Sequence, residues 1–276
     1  MSTELNTMFE QIYNLPQVPE VITDLIQQVN SPNIDMAEIA KNVEKEPAIA
    51  LKILRLVNSA HYGLSRKVNS INEALAFLGM DELKTLIIAS GIVNAMPKIN
   101  DINIKDFWDQ NFCVANHAKR LAQETKQNPD LAFTAGLISG VGTLLIHLGD
   151  PSAAMEVEQH VHAGHSSRAV FEKRRLGFTS AEVAAELCRR WKFPDELVSA
   201  IKESADPLEV DHPSKIACIV YISKTISEFS RDATQDKLLS TFPYDVAEEI
   251  YLSKAVVEEL LPALMEKESD LSGLAA

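Results

Sequence analysis

Apolar residues return at three- and four-residue intervals along most of the chain, as at Ile39, Ala40 and Val43, and this period predicts helices nearly throughout. Proline marks helix starts at Pro19, Pro47, Pro129, Pro151 and Pro194, where its missing N–H costs nothing and its fixed φ suits a first turn. Asp35-Met-Ala-Glu38 and Ser70-Ile-Asn-Glu73 have the spacing of capping boxes. Ser166 or Ser167 can cap a helix from Arg168 to Leu176 with Gly177 as its stop, and Thr179 can cap Ser180 to Trp191. The β-branched run from Ile216 to Ile222 has helical flanks and reads as a buried helix face. The fold class is therefore all-α. A polar break at Met96–Asn103 predicts two helical lobes, 1–98 and 103–276, the second carrying a C-terminal helical extension. Three or four further helices are expected from His212 to Leu264, with Glu248, Glu249, Lys254, Glu258 and Glu259 on a solvated face, and the tail from Glu268 is expected to fray.

One stretch departs from the amphipathic pattern. Ala135–Ile146 has no ionisable side chain, in a chain that is 24% charged, and it holds glycines at 136, 140 and 142. Each glycine costs a helix about 1 kcal/mol relative to alanine, so close packing or a close backbone approach is expected there.

Composition narrows the function classes. The chain has 276 residues, 46% of them hydrophobic, and a mean hydropathy of −0.04, as in a soluble globular protein with a sizeable core. No apolar run reads as a transmembrane helix of about 18 to 20 residues, and the N-terminus lacks the basic and apolar regions of a signal peptide. A cytoplasmic protein without a membrane partner is expected. The net charge of −13 opposes the counterion release that drives most nucleic-acid binding, so no nucleic-acid partner is expected. The segment Asp35–Asn58 imitates a helix-turn-helix, but Lys52 and Arg55 are the only cations of its second helix and Glu44 and Glu46 sit at the turn. Cys113, Cys188 and Cys218 are scattered, which indicates neither disulfides nor a zinc cluster.

Several motifs in order carry a family resemblance. Leu15-Pro-Gln-Val-Pro19, Glu46-Pro47-Ala48, the block Leu54-Arg-Leu-Val-Asn-Ser-Ala-His-Tyr-Gly63, and Ser70-Ile-Asn-Glu-Ala-Leu-Ala-Phe-Leu-Gly79 together resemble the HDOD family, a signalling branch of the HD superfamily of metal-dependent phosphohydrolases. The resemblance implies a second lobe built like an HD domain, in which clustered imidazoles and carboxylates hold a divalent ion that lowers the pKa of a bound water. Compared position by position, His117 matches the first ligand, Ser139 and Gly140 stand for the adjacent His-Asp pair, and Thr143 stands for the nearby Lys. Ser180 and Ser204 stand at further His positions, and Ser223 stands near a terminal Asp. Most ligands are thus replaced. The resemblance then implies a module without catalytic residues, cofactor or metal, working through binding to a histidine kinase, response regulator or cyclic-dinucleotide enzyme.

Other readings stand beside this one. His117 is equally a hydrogen-bonded core histidine, and the serines with neighbouring N–H groups can hold a small anion or nucleotide. Asn58, Ser59, His61 and Tyr62 form either a fold corner or a recognition surface. Glu156, Glu158, His160, His162 and His165 crowd ten residues, as a metal cluster or as a helix end near Gly164. A phosphohydrolase using Glu203 or Asp206 as general base is the enzymatic alternative. Trp191 reads as core packing.

Overall fold

The computed structural model describes residues 2–27, 35–59, 62–99, 102–163, 167–229, 235–265 and 274. Its regular elements are helices: α1 (Thr3–Gln11), α2 (Glu20–Gln27), α3 (Met36–Val43), α4 (Pro47–Val57), α5 (Ile71–Leu78), α6 (Met80–Ala95), α7 (Ile104–Glu124), α8 (Pro129–Ile138) and α9 (Val141–Gly149). They continue as α10 (Pro151–His162), α11 (Arg168–Leu176), α12 (Ser180–Arg190), α13 (Asp195–Glu203), α14 (Lys215–Phe229), α15 (Gln235–Thr241), α16 (Tyr244–Glu249) and α17 (Lys254–Met265). The all-α expectation holds, with four helices after His212 among the described residues.

The caps explain many of these boundaries. Thr179 and Glu182 form a full reciprocal capping box at α12, and Ser167 starts α11, which Gly177 ends in the left-handed region at φ 82°. At α5, Ser70 Oγ accepts from Glu73 N. The return bond lands one residue earlier than a strict box, because Glu73 Oε2 accepts from Asn69 N. Asp35 Oδ1 accepts from both Ala37 N and Glu38 N. Pro47, Pro129 and Pro151 occupy first-turn positions.

The chain forms two compact units, one of residues 1–15 with 114–266 and one of residues 16–113 with 267–276. This division differs from a cut between 98 and 103 in two ways: α1 joins the later unit, and α7 contributes to both. In the unit of 16–113, α6 is buried from Leu83 to Val93 and packs against α2, α4 and α5. Its core includes Ile22, Leu25, Ile49, Ile53, Ile71 and Leu86. Leu274 belongs to this unit and is fully buried, with its carbonyl accepting from Lys52 Nζ at 2.9 Å, so at this residue the tail is anchored where fraying is expected.

The other unit is built around α8, α9 and α12. Helix α12 packs on α9 and α13, α14 packs on α8, and α10 bridges α9 and α11. Helix α1 packs on α9, where Gly149 comes close to Met8. Trp191 is buried beside Phe193 at the turn after α12, as core packing requires. One expectation needs correction: Pro129–Gly149 forms a 21-residue helical stretch apolar enough to cross a membrane. Most of it is buried in the protein, so the same apolarity serves the core. Cys188 and Cys218 are buried and Cys113 is half-buried, and none of the three forms a disulfide.

Candidate functional site

The glycine-punctuated stretch spans the joint of α8 and α9. Ser139 and Gly140 both stay in the right-handed region, so one helix runs almost directly into the next. Gly136 faces α7, where an added Cβ would lie 2.9 Å from Ala115 Cα. Gly142 faces the start of α12, where an added Cβ would press into the Ser180 carbonyl. These two glycines therefore stand where backbones meet, which accounts for their helix cost.

The hydroxyls at the expected ligand positions bond back onto their own helices. Ser139 Oγ donates to Gly136 O at 2.8 Å, Ser204 Oγ to Ile201 O at 2.8 Å and Ser223 Oγ to Ile219 O at 2.7 Å. All three residues are buried. His117 is also buried, and its Nε2 lies 2.7 Å from Leu264 O in α17. A carbonyl accepts only from a protonated nitrogen, so this contact assigns the proton to Nε2 and takes up that lone-pair position.

The polar centre beside these positions is made by residues that the motif comparison does not name. Glu172, on α11, is 1% exposed, and its Oε2 accepts from Ser180 N at 2.7 Å. A carboxylate thus sits at the N-terminus of α12, where the helix dipole favours an anion. Its Oε1 has no hydrogen-bond partner, since Arg168 Nη1 is 3.6 Å away, an ion-pair distance too long for a hydrogen bond. Burial pushes the Glu172 carboxyl up, against the opposing pull of Ser180 N–H and Arg168. Arg168 also donates to Glu158 Oε2 at 2.8 Å, and His147 Nε2 stands 3.8 Å from Glu158 Oε1. Burial would raise Glu158 too, but His147 and Arg168 outweigh it and pull the carboxyl down to about 2. Thr143, Ile146, His147, Glu158, Arg168 and Glu172 line a shallow, solvent-open depression with no room for an enclosed water molecule.

Lys224, on α14, completes the cluster. Its side chain is half-buried, with the ammonium 3.4 Å from Ser204 Oγ. Desolvation pulls it down to about 8, opposed by the charges of Glu228 and Glu172 and reinforced by that of Arg168. Glu172 thus stands against position 180, and Lys224 against position 204. The i,i+4 spacings Arg168–Glu172 and Lys224–Glu228 were visible in the sequence; their convergence was not.

The rival metal cluster is divided among other partners. Glu156 pairs with Arg175 at 2.6 Å, Glu158 with Arg168, and His160 stacks on Phe171 with ring centroids 3.7 Å apart. His162 ends α10, and His165 lies outside the described residues. Among the described residues no three His, Cys, Asp or Glu side chains gather as a metal site.

In the unit of 16–113, Asn58 locks a corner. Its Nδ2 donates to Leu54 O at 2.8 Å and Val68 O at 2.7 Å, while its Oδ1 accepts from Val68 N at 2.8 Å. Tyr62 donates its hydroxyl to Glu82 Oε1 at 2.9 Å, and burial with the Glu82 charge pushes that phenol up. Ser59 is half-buried, and His61 lies outside the described residues.

Comparison with known proteins places this architecture. The fold resembles the crystal structure of a candidate phosphohydrolase from Shewanella amazonensis SB2B, with TM-score 0.78, 29% identity and 98% of both chains covered. It also resembles an HDOD domain protein of unknown function from Geobacter sulfurreducens, with TM-score 0.78, 24% identity, and 96% of this chain and 98% of that one covered. A Vibrio cholerae protein named cyclic di-GMP phosphodiesterase CdgJ is 28% identical over 144 residues, 50% of this chain and 31% of that one. The chain spans about a third of the length of the curated relatives that it matches over half or more of its own residues, 38% in one case and 31% in the other. The HDOD domain model matches residues 15–207, which include the corner at Asn58, the glycine joint of α8 and α9, and the Glu172–Ser180 contact. This chain belongs to the HDOD domain family.

Proposed function

We propose that this chain is a non-catalytic signalling module of the cytoplasm, whose HD-like site has lost its metal ligands and which acts by binding other signalling proteins. The observation that carries this reading is the engagement of the would-be ligand positions. The hydroxyls of Ser139, Ser204 and Ser223 bond to their own helices, and His117 Nε2 bonds to Leu264 O. Chemistry on a phosphoester would need these groups turned toward a substrate or an ion. A small anion is also poorly served, because Glu172 already takes the Ser180 N–H at the start of α12. The partner classes implied by the family are a histidine kinase, a response regulator and a cyclic-dinucleotide enzyme.

The name of the Vibrio relative favours a second reading, a metal-dependent phosphodiesterase acting on a cyclic dinucleotide. Against it, Glu203, the candidate base, has its Oε2 accepting from Ser214 N at 2.8 Å as part of a local turn. Turnover of cyclic di-GMP and of aryl phosphoesters, assayed with Mn²⁺, Mg²⁺ and Fe²⁺ on protein purified without a His tag, separates the two. No turnover above buffer is expected. Metal-dependent turnover abolished in a folded His117→Ala variant would sink the non-catalytic reading.

A further inference from the structure

A leucine near the end of the chain is seated in the unit of 16–113. Leu274 is fully buried, and its carbonyl accepts from Lys52 Nζ on α4 at 2.9 Å, across 222 residues of sequence. The run that carries it, Glu266-Lys-Glu-Ser-Asp-Leu-Ser-Gly-Leu-Ala-Ala276, has three carboxylates against one lysine. A leucine in so polar a run reaches full burial only where a recess receives it. The receiving helix divides its faces: Ile49, Ala50, Ile53, Leu56 and Val57 are buried, whereas Leu51 and Arg55, one turn apart, are exposed. Lys52 stands between them in the chain, and burial together with the charges of Arg55 and exposed Lys98 pulls its ammonium down. In a chain of net charge −13, three neighbouring cations make a place that an acidic segment favours. The Lys52 bond goes to a main-chain carbonyl and reads no side chain, so this place selects by leucine and by charge.

We propose that the outward face of α4 is a docking site for an acidic, leucine-bearing peptide segment, with the chain's own tail, through Leu274, as the resident occupant that such a segment of a partner protein displaces. Tethering gives the resident tail an effective concentration on the order of millimolar, so the site is masked against weak ligands. Leu51, next to Lys52 in the chain and 64% exposed, remains open with the tail in place and offers a displacing segment one further apolar contact. The proposal goes beyond the reading of the chain as a non-catalytic binding module and holds whether or not the other unit turns over a substrate.

The test uses tag-free full-length protein and, as the probe, a fluorescein-labelled synthetic peptide of residues 266–276, read by fluorescence anisotropy. Leu274→Asp in the full chain releases the tail and is expected to bind the peptide at least about tenfold more tightly than the wild type, whose site is filled. A peptide carrying Leu274→Asp is expected to lose at least about tenfold in affinity, as the loss of one buried leucine implies. Lys52→Ala in the Leu274→Asp chain is expected to weaken the native peptide by about tenfold, through loss of a charge-assisted hydrogen bond. Equal binding by wild type and Leu274→Asp overturns the proposal, and so does equal binding of the two peptides, which leaves only unspecific attraction of charge. A wild type of two chains by light scattering that becomes one chain in Leu274→Asp places the tail on a second copy and overturns its assignment within one chain. Should Leu274→Asp not fold, Leu274→Ala decides by the same comparison; if neither folds, the tail is a structural strut and the proposal falls. Metal-dependent turnover by the wild type would sink the non-catalytic reading and leave this proposal standing, whereas a peptide that no variant binds sinks only this one.

Discussion

Gly142→Ala tests whether close packing is what holds the glycines at the joint of α8 and α9. A Cβ at Gly142 would collide with the Ser180 carbonyl oxygen and lie 2.7 Å from its carbon and 3.1 Å from Ala184 N. All three atoms are backbone, so no rotamer change relieves the overlap. Ser180 cannot drift freely either, because its N–H is bound to Glu172 and the preceding residue is held in the Thr179–Glu182 capping box. Overpacking of a core costs about 1 to 3 kcal/mol and a backbone clash falls at or above the top of that range, while alanine returns about 1 kcal/mol of helix propensity. The net loss is about 2 kcal/mol, which in a domain of this size lowers the melting temperature by about 4 to 8 °C. Scanning calorimetry measures it directly. Gly79→Ala is the control for backbone strain alone, since Gly79 has φ 80° with nothing within 4 Å of an added Cβ. With ψ 178° Gly79 lies in a region essentially reserved for glycine, so that change should cost about 1 to 3 kcal/mol. A Gly142→Ala protein melting at or above the wild-type temperature would refute the packing account.

Two further outcomes follow from particular contacts. Asn58→Ala deletes three hydrogen bonds and leaves both backbone groups of buried Val68 without their Asn58 partners, so urea unfolding should show a loss of about 2 to 4 kcal/mol; an unchanged midpoint would mean that the corner is not held by this side chain. Glu158 has a folded-state pKa lowered to about 2 from 4.5, so its pairing stabilises the protein above about pH 4.5 and is lost as pH falls toward 2. Because Glu158 is 38% exposed, solvent screening reduces the effect. Glu158→Gln should therefore flatten the fall in melting temperature between pH 5 and pH 3, and an unaltered slope would place the acid sensitivity elsewhere.

Local signals in the sequence carried far. Ser167 and Gly177 bracket α11, Thr179 opens α12, and Pro47, Pro129 and Pro151 start their helices because capping and proline geometry are decided within one turn. The glycine anomaly at 136 and 142 also pointed to close approach, although only coordinates reveal Ala115 and Ser180 as the surfaces approached. The polar centre was less legible. Glu172 and Ser180 are eight residues apart across a turn, and Lys224 meets Ser204 from a separate helix, so their meeting depends on the packing of α11, α12, α13 and α14. The motif comparison directs attention to positions 139, 180, 204 and 223. The charges that stand beside those positions have no place in that pattern.

The start of α12 makes two electrostatic demands in turn. A helix N-terminus such as that of α12 still presents unpaired N–H groups, and a buried pocket still favours whatever neutralises it. In this chain Glu172 answers the first demand and, in doing so, creates a second, a carboxylate at 1% exposure. Arg168 meets that demand only in part, since its short hydrogen bond goes to Glu158 at 2.8 Å and its distance to Glu172 is 3.6 Å. Replacing buried charges by packed hydrophobes is often neutral or stabilising, so the charges kept by Glu158, Arg168 and Glu172 argue less for added stability than for one defined geometry of α10, α11 and the start of α12.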